Sequence, residues 1–406
     1  MIWMLAGTAW AAEASGYVEA RGGYLFEVDG VAWETVQRAR PTLSAQLHER
    51  VELSVTPQLS LVQGRYPYEE GLDLLEEQLG TVLEQSGCSL QAPPRVDEVS
   101  DVLTVERLFV DVYHPRVDLR LGRQALNWGS AMFLNPTDLF AQNLLASPWQ
   151  ERQGVNALRA TVPFAGRHQV TAVAALADDL ETWRFGLRPT VNLLQTDISL
   201  VGGYSSQPDD FLDGAPMVGL DLRGQLVLGW WAEGRLDLAD EAAPVVSAGL
   251  DYSFAVLDQL YVAAQYSYDG TGVEDPALYS LADRGLTVAT PACLGELSLG
   301  EPTAAPRTTI GRHYALGTAR VGFLDAWSVQ AAALMNLQDR STVVIPQVAW
   351  TPGQRVSWVL GGNLGLGEGE FVPTPQMATF KDGFIELDAS GLVPRAQVFS
   401  YLRFAL

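Results

Sequence analysis

Hydrophobic and polar residues alternate along most of the chain with a period of two. The even-numbered residues from Arg38 to Ser54 are all polar and fall on one face, and Leu43, Leu47 and Leu53 are among those on the other. This period is typical of β-strands with one apolar and one polar face. The pattern predicts eighteen strands, at about 17–28, 34–55, 59–66, 102–113, 117–127, 154–163, 168–177, 183–193, 196–204, 217–223, 225–238, 244–254, 259–269, 311–323, 326–338, 341–350, 354–365 and 393–406.

Short turn signals join these predicted strands in pairs, and longer acidic segments separate the pairs. The turn signals are Thr56-Pro57-Gln58, His114-Pro115-Arg116, Phe164-Ala165-Gly166-Arg167, Arg223-Gly224-Gln225 and Thr351-Pro352-Gly353-Gln354. Strands of about 9 to 11 residues, with short turns at one end and long loops at the other, are typical of transmembrane β-barrels. We therefore predict an all-β fold: one transmembrane antiparallel barrel over residues 15–406, with about eighteen strands and sixteen as the alternative count. The turns would be periplasmic and the loops external, with 67–101 and 270–310 the longest loops.

Tryptophans lie near the predicted strand ends. Trp33 and Trp183 lie near the long-loop ends, while Trp327 and Trp350 lie beside short turns. Indole rings at these positions would form the aromatic girdles of a membrane barrel. The alternative is that they fill the core of an ordinary β-sandwich. A soluble all-β chain of this length would more often divide into domains with visible linkers, and none is visible here.

Both ends of the chain resemble targeting elements. Residues 1–11 are largely apolar and end in the small-x-small pattern Ala9-Trp10-Ala11, so we predict a signal peptide over 1–14. Because a basic n-region is missing, the alternatives are a start further upstream or a chance apolar N-terminus. In the last predicted strand, Phe404 and Leu406 share one face. This resembles the C-terminal signature by which outer-membrane proteins are recognised for insertion, although that signature usually ends in Phe. It implies the barrel-assembly machinery as a partner.

Composition and charge exclude several classes of protein. With 48% hydrophobic and 18% charged residues, neither a disordered chain nor a coiled coil is expected. Asp and Glu outnumber Lys and Arg by 48 to 26, and this excess excludes nonspecific nucleic-acid binding. No apolar window of about 18 residues follows the N-terminal segment, so spanning helices are not predicted.

The predicted polar faces carry many arginines. We predict the following pore-lining residues: Arg38, Arg40, Arg107, Asp111, Arg120, Arg123, Arg159, Arg184, Arg188, Arg223 and Arg235. A guanidinium binds carboxylates or phosphates bidentately, either on a passing solute or on a neighbouring acidic side chain. A specific path for anions and mixed ladders that satisfy themselves therefore both remain open. The acidic external loops would attract cations or bridge divalent ions to surface lipid.

Two features fall in the predicted external loops. Residues 69–85 follow helical spacing and predict an amphipathic helix, which would either narrow the pore or cover a loop core. Cys88 and Cys293 lie in the second and seventh predicted external loops, and we expect a disulfide between them across the pore. Two free thiols are the alternative, since sequence distance alone decides nothing.

The most distinctive string is Leu119-Arg120-Leu121-Gly122-Arg123-Gln124-Ala125-Leu126-Asn127-Trp128-Gly129, which Asn135-Pro136-Thr137-Asp138 follows. It resembles the Gly-Arg-Gln-x-x-x-aromatic-Gly element of the alginate-export family of barrels. That resemblance implies a barrel whose Arg-bearing lumen conducts a polyanionic sugar, and only Arg123 is carried over by motif position. Strict alternation would place Arg123 towards lipid, at a cost of about 2 to 4 kcal/mol. We therefore predict a bulge at Gly122 that turns Arg123 inward; alternatively, the string only shapes a strand-to-loop corner.

No enzymatic, cofactor or metal motif is found. The four histidines are scattered and lack ligand spacing, and phosphate-cradling glycine loops are missing. A hydrolase whose Ser-His pair is assembled only in space is an alternative. The sequence thus predicts a porin-like channel of the bacterial outer membrane for passive diffusion of small polar or anionic solutes, surrounded by outer-membrane lipid and lipopolysaccharide. The alternatives are an exporter of an anionic polysaccharide and a nonconducting barrel that binds a ligand or partner through acidic loops.

Overall fold

A computed structural model describes most of the chain. The described residues are 12–26, 31–65, 100–140, 151–177, 182–206, 216–238, 243–276, 279, 290–291, 309–372, 378–381, 384–387 and 396–406. Eighteen of the strands form a single sheet whose first and last members pair, so the sheet is a closed antiparallel barrel. Three short strands form a separate sheet among the loops.

The strands are as follows, in chain order. The barrel strands are β1 (Ala12–Phe26), β2 (Val31–His48), β3 (Val51–Arg65), β4 (Ser100–His114), β5 (Val117–Gln124), β6 (Val155–Phe164), β7 (His168–Leu176), β8 (Trp183–Leu193), β9 (Thr196–Ser205), β10 (Met217–Gln225), β11 (Gly229–Asp237), β12 (Pro244–Phe254), β13 (Gln259–Asp269), β15 (His313–Phe323), β16 (Trp327–Asn336), β17 (Thr342–Trp350), β18 (Val356–Leu366) and β21 (Ala396–Ala405). The short loop strands are β14 (Thr290–Pro291), β19 (Ala378–Lys381) and β20 (Phe384–Leu387).

The barrel closes where β1 pairs with β21, from Tyr17 opposite Ala405 to Phe26 opposite Ala396. A partly buried ion pair crosses this seam: Nε and Nη2 of Arg403 lie 2.9 and 2.6 Å from Oε2 of Glu19. Closure leaves no sheet edge in the barrel, so every strand has a partner on each side.

The wall has an apolar outer face and a polar inner face. On β9 and β12, Leu200 and Leu250 are exposed outward, whereas Ser199 and Ser247 are buried inward. The predicted alternation is therefore confirmed, and a barrel that is apolar outside and polar inside is the transmembrane kind. Within the described residues, no helix is long and apolar enough to cross a membrane.

Each of the eighteen predicted strands overlaps a corresponding barrel strand, but β1 begins five residues earlier than predicted and two predicted turns are displaced. The predicted turn Thr56-Pro57-Gln58 is wrong, because β3 runs through these residues and the chain turns at Glu49 and Arg50 instead. Pro57 lies where the register between β3 and β4 shifts, and such an irregularity tolerates a residue without an N–H group. The turn predicted at Arg223-Gly224-Gln225 is also displaced, since β10 extends to Gln225.

The tryptophans lie near the strand ends, where the sequence predicted them. Trp183 begins β8 and contacts Phe185, with ring centroids 4.7 Å apart. At the short-turn end of the barrel, Trp327 contacts both Trp350 and Trp358, with centroids 6.1 and 6.5 Å apart. The predicted helix over 69–85 lies outside the described residues, and so does most of the predicted signal peptide, because β1 begins at Ala12.

Candidate functional site

The chain leaves β5 and folds into the lumen as a segment of residues 125–140, which we call the constriction segment. Its position is fixed by contacts with inward-facing residues on strands that lie far along the chain. Its beginning and end pack against β6, β7, β9 and β10, and its middle reaches β15, β16 and β17. The segment thus crosses much of the barrel interior.

Hydrophobic packing holds the two ends of the constriction segment against the wall. The segment contributes Leu126, Trp128, Leu139 and Phe140, and the wall contributes Ala157, Val173, Ala175, Val201 and Met217. Trp128 and Phe140 meet edge to face, with centroids 6.0 Å apart. The wall offers small residues here: a Cβ atom on Gly186 would lie 2.5 Å from the Trp128 ring. The close approach of this ring therefore requires glycine.

The middle of the constriction segment packs against the other side of the lumen. Phe133 belongs to a buried cluster with Tyr314, Leu316, Leu334 and Ile345, which lie on β15, β16 and β17. The centroids of the Phe133 and Tyr314 rings lie 5.7 Å apart. Through this contact, the segment bridges two sides of the barrel wall.

Glu233 on β11 is the main polar anchor of the constriction segment. Its Oε1 atom accepts hydrogen bonds from the backbone N–H groups of Ser130 and Ala131. Its Oε2 atom accepts a hydrogen bond of 2.8 Å from the Thr137 hydroxyl and a longer one of 3.4 Å from the Thr137 backbone N–H. One buried carboxylate thus satisfies three backbone donors of a segment that has no regular secondary structure.

Two further side chains of the wall bind the segment backbone. On β13, Gln265 accepts a hydrogen bond of 2.7 Å from the Met132 N–H and donates one to the Phe133 carbonyl. On β12, Ser247 donates a hydrogen bond of 2.6 Å to the Leu134 carbonyl. The segment is therefore held at both ends and in the middle, which favours one fixed conformation.

The return of the chain to β6 is held by Asp138 and Arg152. Arg152 Nη1 lies 2.8 Å from Asp138 Oδ2 and 3.2 Å from the Leu126 carbonyl oxygen. Arg107, on β4, donates to the Arg152 carbonyl. Burial raises the pKa of the Asp138 carboxyl above its ordinary value, although the charge of Arg152 opposes this shift.

A cavity of about 370 Å³ lies between the constriction segment and the wall, towards the short turns. Its charged lining residues are Asp111, Asp118, Arg120, Arg159 and Arg188, and the segment contributes Leu126, Asn127 and Trp128. Here Arg120 binds Asp111 bidentately, at 2.7 and 2.8 Å, while its guanidinium carbon lies 4.0 Å from the centre of the Phe109 ring.

The arginines of this cavity differ in their partners. Arg188 Nη2 lies 2.6 Å from Asp221 Oδ2, so both Arg188 and Arg120 are paired with carboxylates. Within the described part of the chain, Arg159 forms neither a hydrogen bond nor an ion pair, although it lies near Arg120, Asp111 and Asp118. A guanidinium that lines a cavity with charged walls and has no partner among the described residues is suited to bind an anionic group.

A second group of arginines lies near the barrel seam. Arg40 Nη1 lies 3.0 Å from Glu151 Oε2, and Arg403 Nη1 lies 3.6 Å from Glu151 Oε1. Arg38 Nη1 lies 3.8 Å from Glu19 Oε1. Glu151 belongs to the return of the constriction segment to β6, so this group links the seam to that return.

The remaining predicted pore-lining residues lie on the same wall. Arg184 lies between the buried residues Ala175 and Ser205 of the neighbouring strands. Arg223 lies opposite Asp197, and Arg235 Nε lies 3.2 Å from Asp237 Oδ1. Mixed ladders of charge, the alternative left open by the sequence, are therefore common on this wall.

The predicted bulge at Gly122 is wrong, because β5 pairs with β4 and β6 without a register shift. Gly122 instead adopts a φ of 123°, where a Cβ atom would lie 2.2 Å from the Leu108 carbonyl oxygen. Arg123 lies beside Arg107: a Cβ atom on Gly154 would meet the side chains of both. This position requires glycine because of its φ and the close approach of the Leu108 carbonyl, and not because of an extra residue.

Loops at the opposite rim are joined by Glu370. This carboxylate accepts hydrogen bonds from the Tyr314 hydroxyl at 2.6 Å, from Asn336 Nδ2 at 2.7 Å and from the Ile310 N–H at 2.9 Å. Burial raises the pKa of Glu370.

Cys88 and Cys293 lie outside the described residues, so their disulfide stays a prediction. Among the described residues, no group of three or more His, Cys, Asp and Glu could hold a metal ion.

Crystal structures of Pseudomonas aeruginosa proteins share this fold. The structure of OccK2 (OpdF) in complex with glucuronate is 10% identical, with a TM-score of 0.54 over 98% of this chain and 98% of that one. The structure of OpdK with vanillate is 11% identical, with a TM-score of 0.53 over 97% and 98% of the two chains. OccK8 (OprE) is 9% identical, with a TM-score of 0.54 over 98% of each chain. The predicted closed barrel of eighteen strands is confirmed, and its fold is that of outer-membrane porins.

No protein-family model and no curated protein matches the chain. The resemblance to the alginate-export family therefore stays a prediction. The role of residues 125–140 does not follow from the sequence, where Trp128, Gly129 and Asn135-Pro136-Thr137-Asp138 predict only the beginning of a loop. The available signal was a run of large apolar residues in a segment that also contains turn-forming residues.

Proposed function

We propose that the chain is a channel of the bacterial outer membrane through which small polar or charged solutes diffuse, and that small anions are favoured. The observation that carries this proposal is the cavity beneath the constriction segment, where Arg159 has two paired arginines as neighbours. No catalytic step is part of the proposal. The narrowed passage brings any solute close to this wall.

The physical basis is the difference between paired and unpaired guanidinium groups. Arg120 and Arg188 are neutralised in part by Asp111 and Asp221, whereas Arg159 can receive a carboxylate from the solute. Bidentate recognition of a carboxylate is a preferred geometry of arginine. Since the charges of the cavity are partly neutralised by one another, binding would stay weak enough for the solute to leave, as conduction requires.

Two of the solved structures support a carboxylate as the recognised group. OccK2 was crystallised with glucuronate and OpdK with vanillate, and both of these molecules carry a carboxylate. Their sequences differ greatly from this one, so the support is for the class of solute and not for a particular compound.

The test is the reversal potential of the purified protein in a planar bilayer under a salt gradient. We expect an anion-selective current that small carboxylates such as glucuronate reduce at millimolar concentration. A cation-selective current would contradict the preference for anions and would assign control to the acidic external loops. No current would favour a nonconducting barrel that binds a ligand or partner.

An exporter of an anionic polysaccharide is the second candidate, and the string around Arg123 favours it. The test adds alginate oligomers on the short-turn side. Blocks of the current that last longer for longer oligomers would support this function.

We also propose lipopolysaccharide as the outer-leaflet neighbour of the barrel. The barrel-assembly machinery is the proposed partner of β21, the strand that ends beside Leu406.

A further inference from the structure

Four neighbouring short turns of the barrel carry large apolar residues that are exposed. They join β8 to β9, β10 to β11, β12 to β13 and β15 to β16. The turns are adjacent around the rim because β9 pairs with β10, β11 with β12 and β13 with β15. We call their exposed residues the apolar arc: Leu194, Leu226, Val227, Leu257 and Leu324, which are 85, 78, 81, 71 and 77% exposed.

The other short turns of the same rim have a different composition. Glu49 and Arg50 form the turn between β2 and β3, and Pro115 and Arg116 form the next one. The turn between β6 and β7 has Ala165, Gly166 and Arg167, and the one between β17 and β18 runs from Thr351 to Arg355. The rim is therefore apolar on one side and polar on the other.

The backbone conformation of the arc does not explain its leucines. Leu194, Leu257 and Leu324 have φ values of 51, 53 and 54°, in the left-handed region that favours Gly, Asn or Asp. These side chains are also exposed, so packing within the barrel does not explain them either. Neither local turn chemistry nor the protein core selects leucine at these three positions, which indicates an apolar environment outside the protein.

Lipid is the environment that the geometry provides. The strands that end in the arc have 9 to 11 residues, about the number needed to cross a bilayer. Their turns therefore lie at the membrane boundary. The arc also continues the outward apolar face of the barrel, through exposed neighbours such as Leu193, Leu228 and Phe254.

We propose that the apolar arc inserts into the interfacial region of the periplasmic leaflet, so that the barrel is anchored more deeply on this side. This inference rests on the proposed membrane location. Two residues with carboxylates, Asp258 and Asp325, lie in the same turns as the arc. The Asp258 carboxylate accepts a hydrogen bond of 3.2 Å from the Asp325 N–H, and this bond joins two adjacent turns. Both can remain hydrated among the headgroups, while the leucines contact the acyl chains.

Depth-dependent fluorescence quenching tests the proposal directly. In a chain with Cys88→Ser and Cys293→Ser, an NBD label is attached at Val227→Cys, at Leu324→Cys and, as the aqueous control, at Arg116→Cys. Leu250→Cys, on the outward face of β12, reports on the membrane location itself. Vesicles contain lipids brominated near the carbonyl end of the acyl chain or near its middle.

We expect the label at 250 to be quenched by mid-chain bromines, the labels at 227 and 324 by bromines near the carbonyls, and the label at 116 by neither. Unquenched labels at 227 and 324, with a quenched label at 250, would overturn the inference and leave the arc as a surface for a periplasmic protein. An unquenched label at 250 would overturn the membrane location and the inference together.

A stability measurement tests the proposal independently, because lipid and water around the arc predict different shifts of the urea midpoint. The triple variant Leu194→Asn, Leu257→Asn and Leu324→Asn places a favoured residue at each left-handed position. If lipid covers the arc, this variant unfolds from vesicles at a lower urea concentration than the wild type. If the arc lies in water, the urea midpoint of the variant is unchanged or higher than that of the wild type, and this result would overturn the proposal. Ala165→Asn, at a φ of 35° on the polar side of the rim, is the matched control and should not lower the midpoint.

Discussion

The Oε2 atom of Glu233, in the barrel wall, lies 2.8 Å from the Oγ1 atom of Thr137, in the constriction segment. The same carboxylate also binds the backbone of Ser130 and Ala131, so a single side chain holds two parts of the segment. The width of the passage therefore depends on a residue that lies about 100 positions away from the segment it fixes.

Replacing Glu233 with Ala should release the constriction segment. Each hydrogen bond to a charged group contributes about 1.5 to 3 kcal/mol, so the segment should become mobile while the barrel stays folded. We expect larger single-channel conductance and more current noise in planar bilayers. Asp251→Ala removes an inward carboxylate of the neighbouring strand β12 and is the matched control. Equal changes in both variants would show that the effect comes from lost charge and not from the anchor.

Replacing Gly186 with Val should displace Trp128 and narrow the passage. A Cβ atom at this position would lie 2.5 Å from the indole ring, and overpacking of this kind costs about 1 to 3 kcal/mol. We expect lower conductance and a reduced urea midpoint. Gly202→Val is the control on β9, where a Cβ atom meets nothing within 4 Å. A Gly186→Val channel with wild-type conductance would show that Trp128 does not limit the passage.

Replacing Arg159 with Gln should weaken the preference for anions. A single charge about 4 Å from a solute is worth about 1 kcal/mol in water, which corresponds to about a fivefold change in permeability ratio at most. The reversal potential under a salt gradient should move towards zero, and block by glucuronate should weaken. Arg167→Gln removes one positive charge from a short turn outside the cavity. It should change the reversal potential and the block by glucuronate less than Arg159→Gln does. A larger effect of Arg167→Gln would indicate that the rim, and not the cavity, selects the ion.

The pKa of Asp138 predicts how the stability of the fold depends on pH. Because burial raises this pKa in the folded state, the folded chain takes up a proton at a higher pH than the unfolded chain. As pH falls through the raised folded pKa towards the ordinary Asp value, the wild type should gain stability relative to Asp138→Asn. Below the ordinary value the difference should stay constant.

Urea unfolding of the wild type and of Asp138→Asn at several pH values measures this difference. Because Arg152 lies 2.8 Å from the carboxylate, the variant leaves this guanidinium without its partner. Arg152→Gln supplies the second comparison: without the opposing charge, the pKa of Asp138 should rise further and move the transition to higher pH. A stability difference that does not change with pH would contradict a raised pKa.

The barrel itself was predictable because its signal is local. A period of two along each strand reflects one face in lipid and one in the lumen, and each hairpin turn lies within a few residues of the strands it joins. The prediction failed at Pro57, where proline usually marks a turn but here lies at an irregularity of β3. Glu49 in fact breaks the alternation, because it falls on the same face as Leu47 and Val51, but neither it nor Arg50 is a residue that usually marks a turn.

The constriction segment was not predictable for the opposite reason. Its anchors, Glu233 and Gln265, lie on strands that are more than 90 residues away from it in sequence. Each of them occupies a polar position in the alternating pattern of its strand. The local sequence therefore does not distinguish it from a residue that faces the solute. The distinction arises only when the barrel brings the wall and the segment together.

The seam between β1 and β21 has a consequence for how the protein folds. Glu19 and Arg403, which meet across it, are separated by 384 residues, so their contact is among the most distant that the chain can form. Closing so long a loop is entropically costly, so this pairing is expected to form later than the pairings between consecutive strands. Until the last strand arrives, β1 has an unpaired edge that could pair with another chain. The time that β21 takes to reach β1, and not only the contacts of the closed barrel, therefore sets how long this edge is open to aggregation.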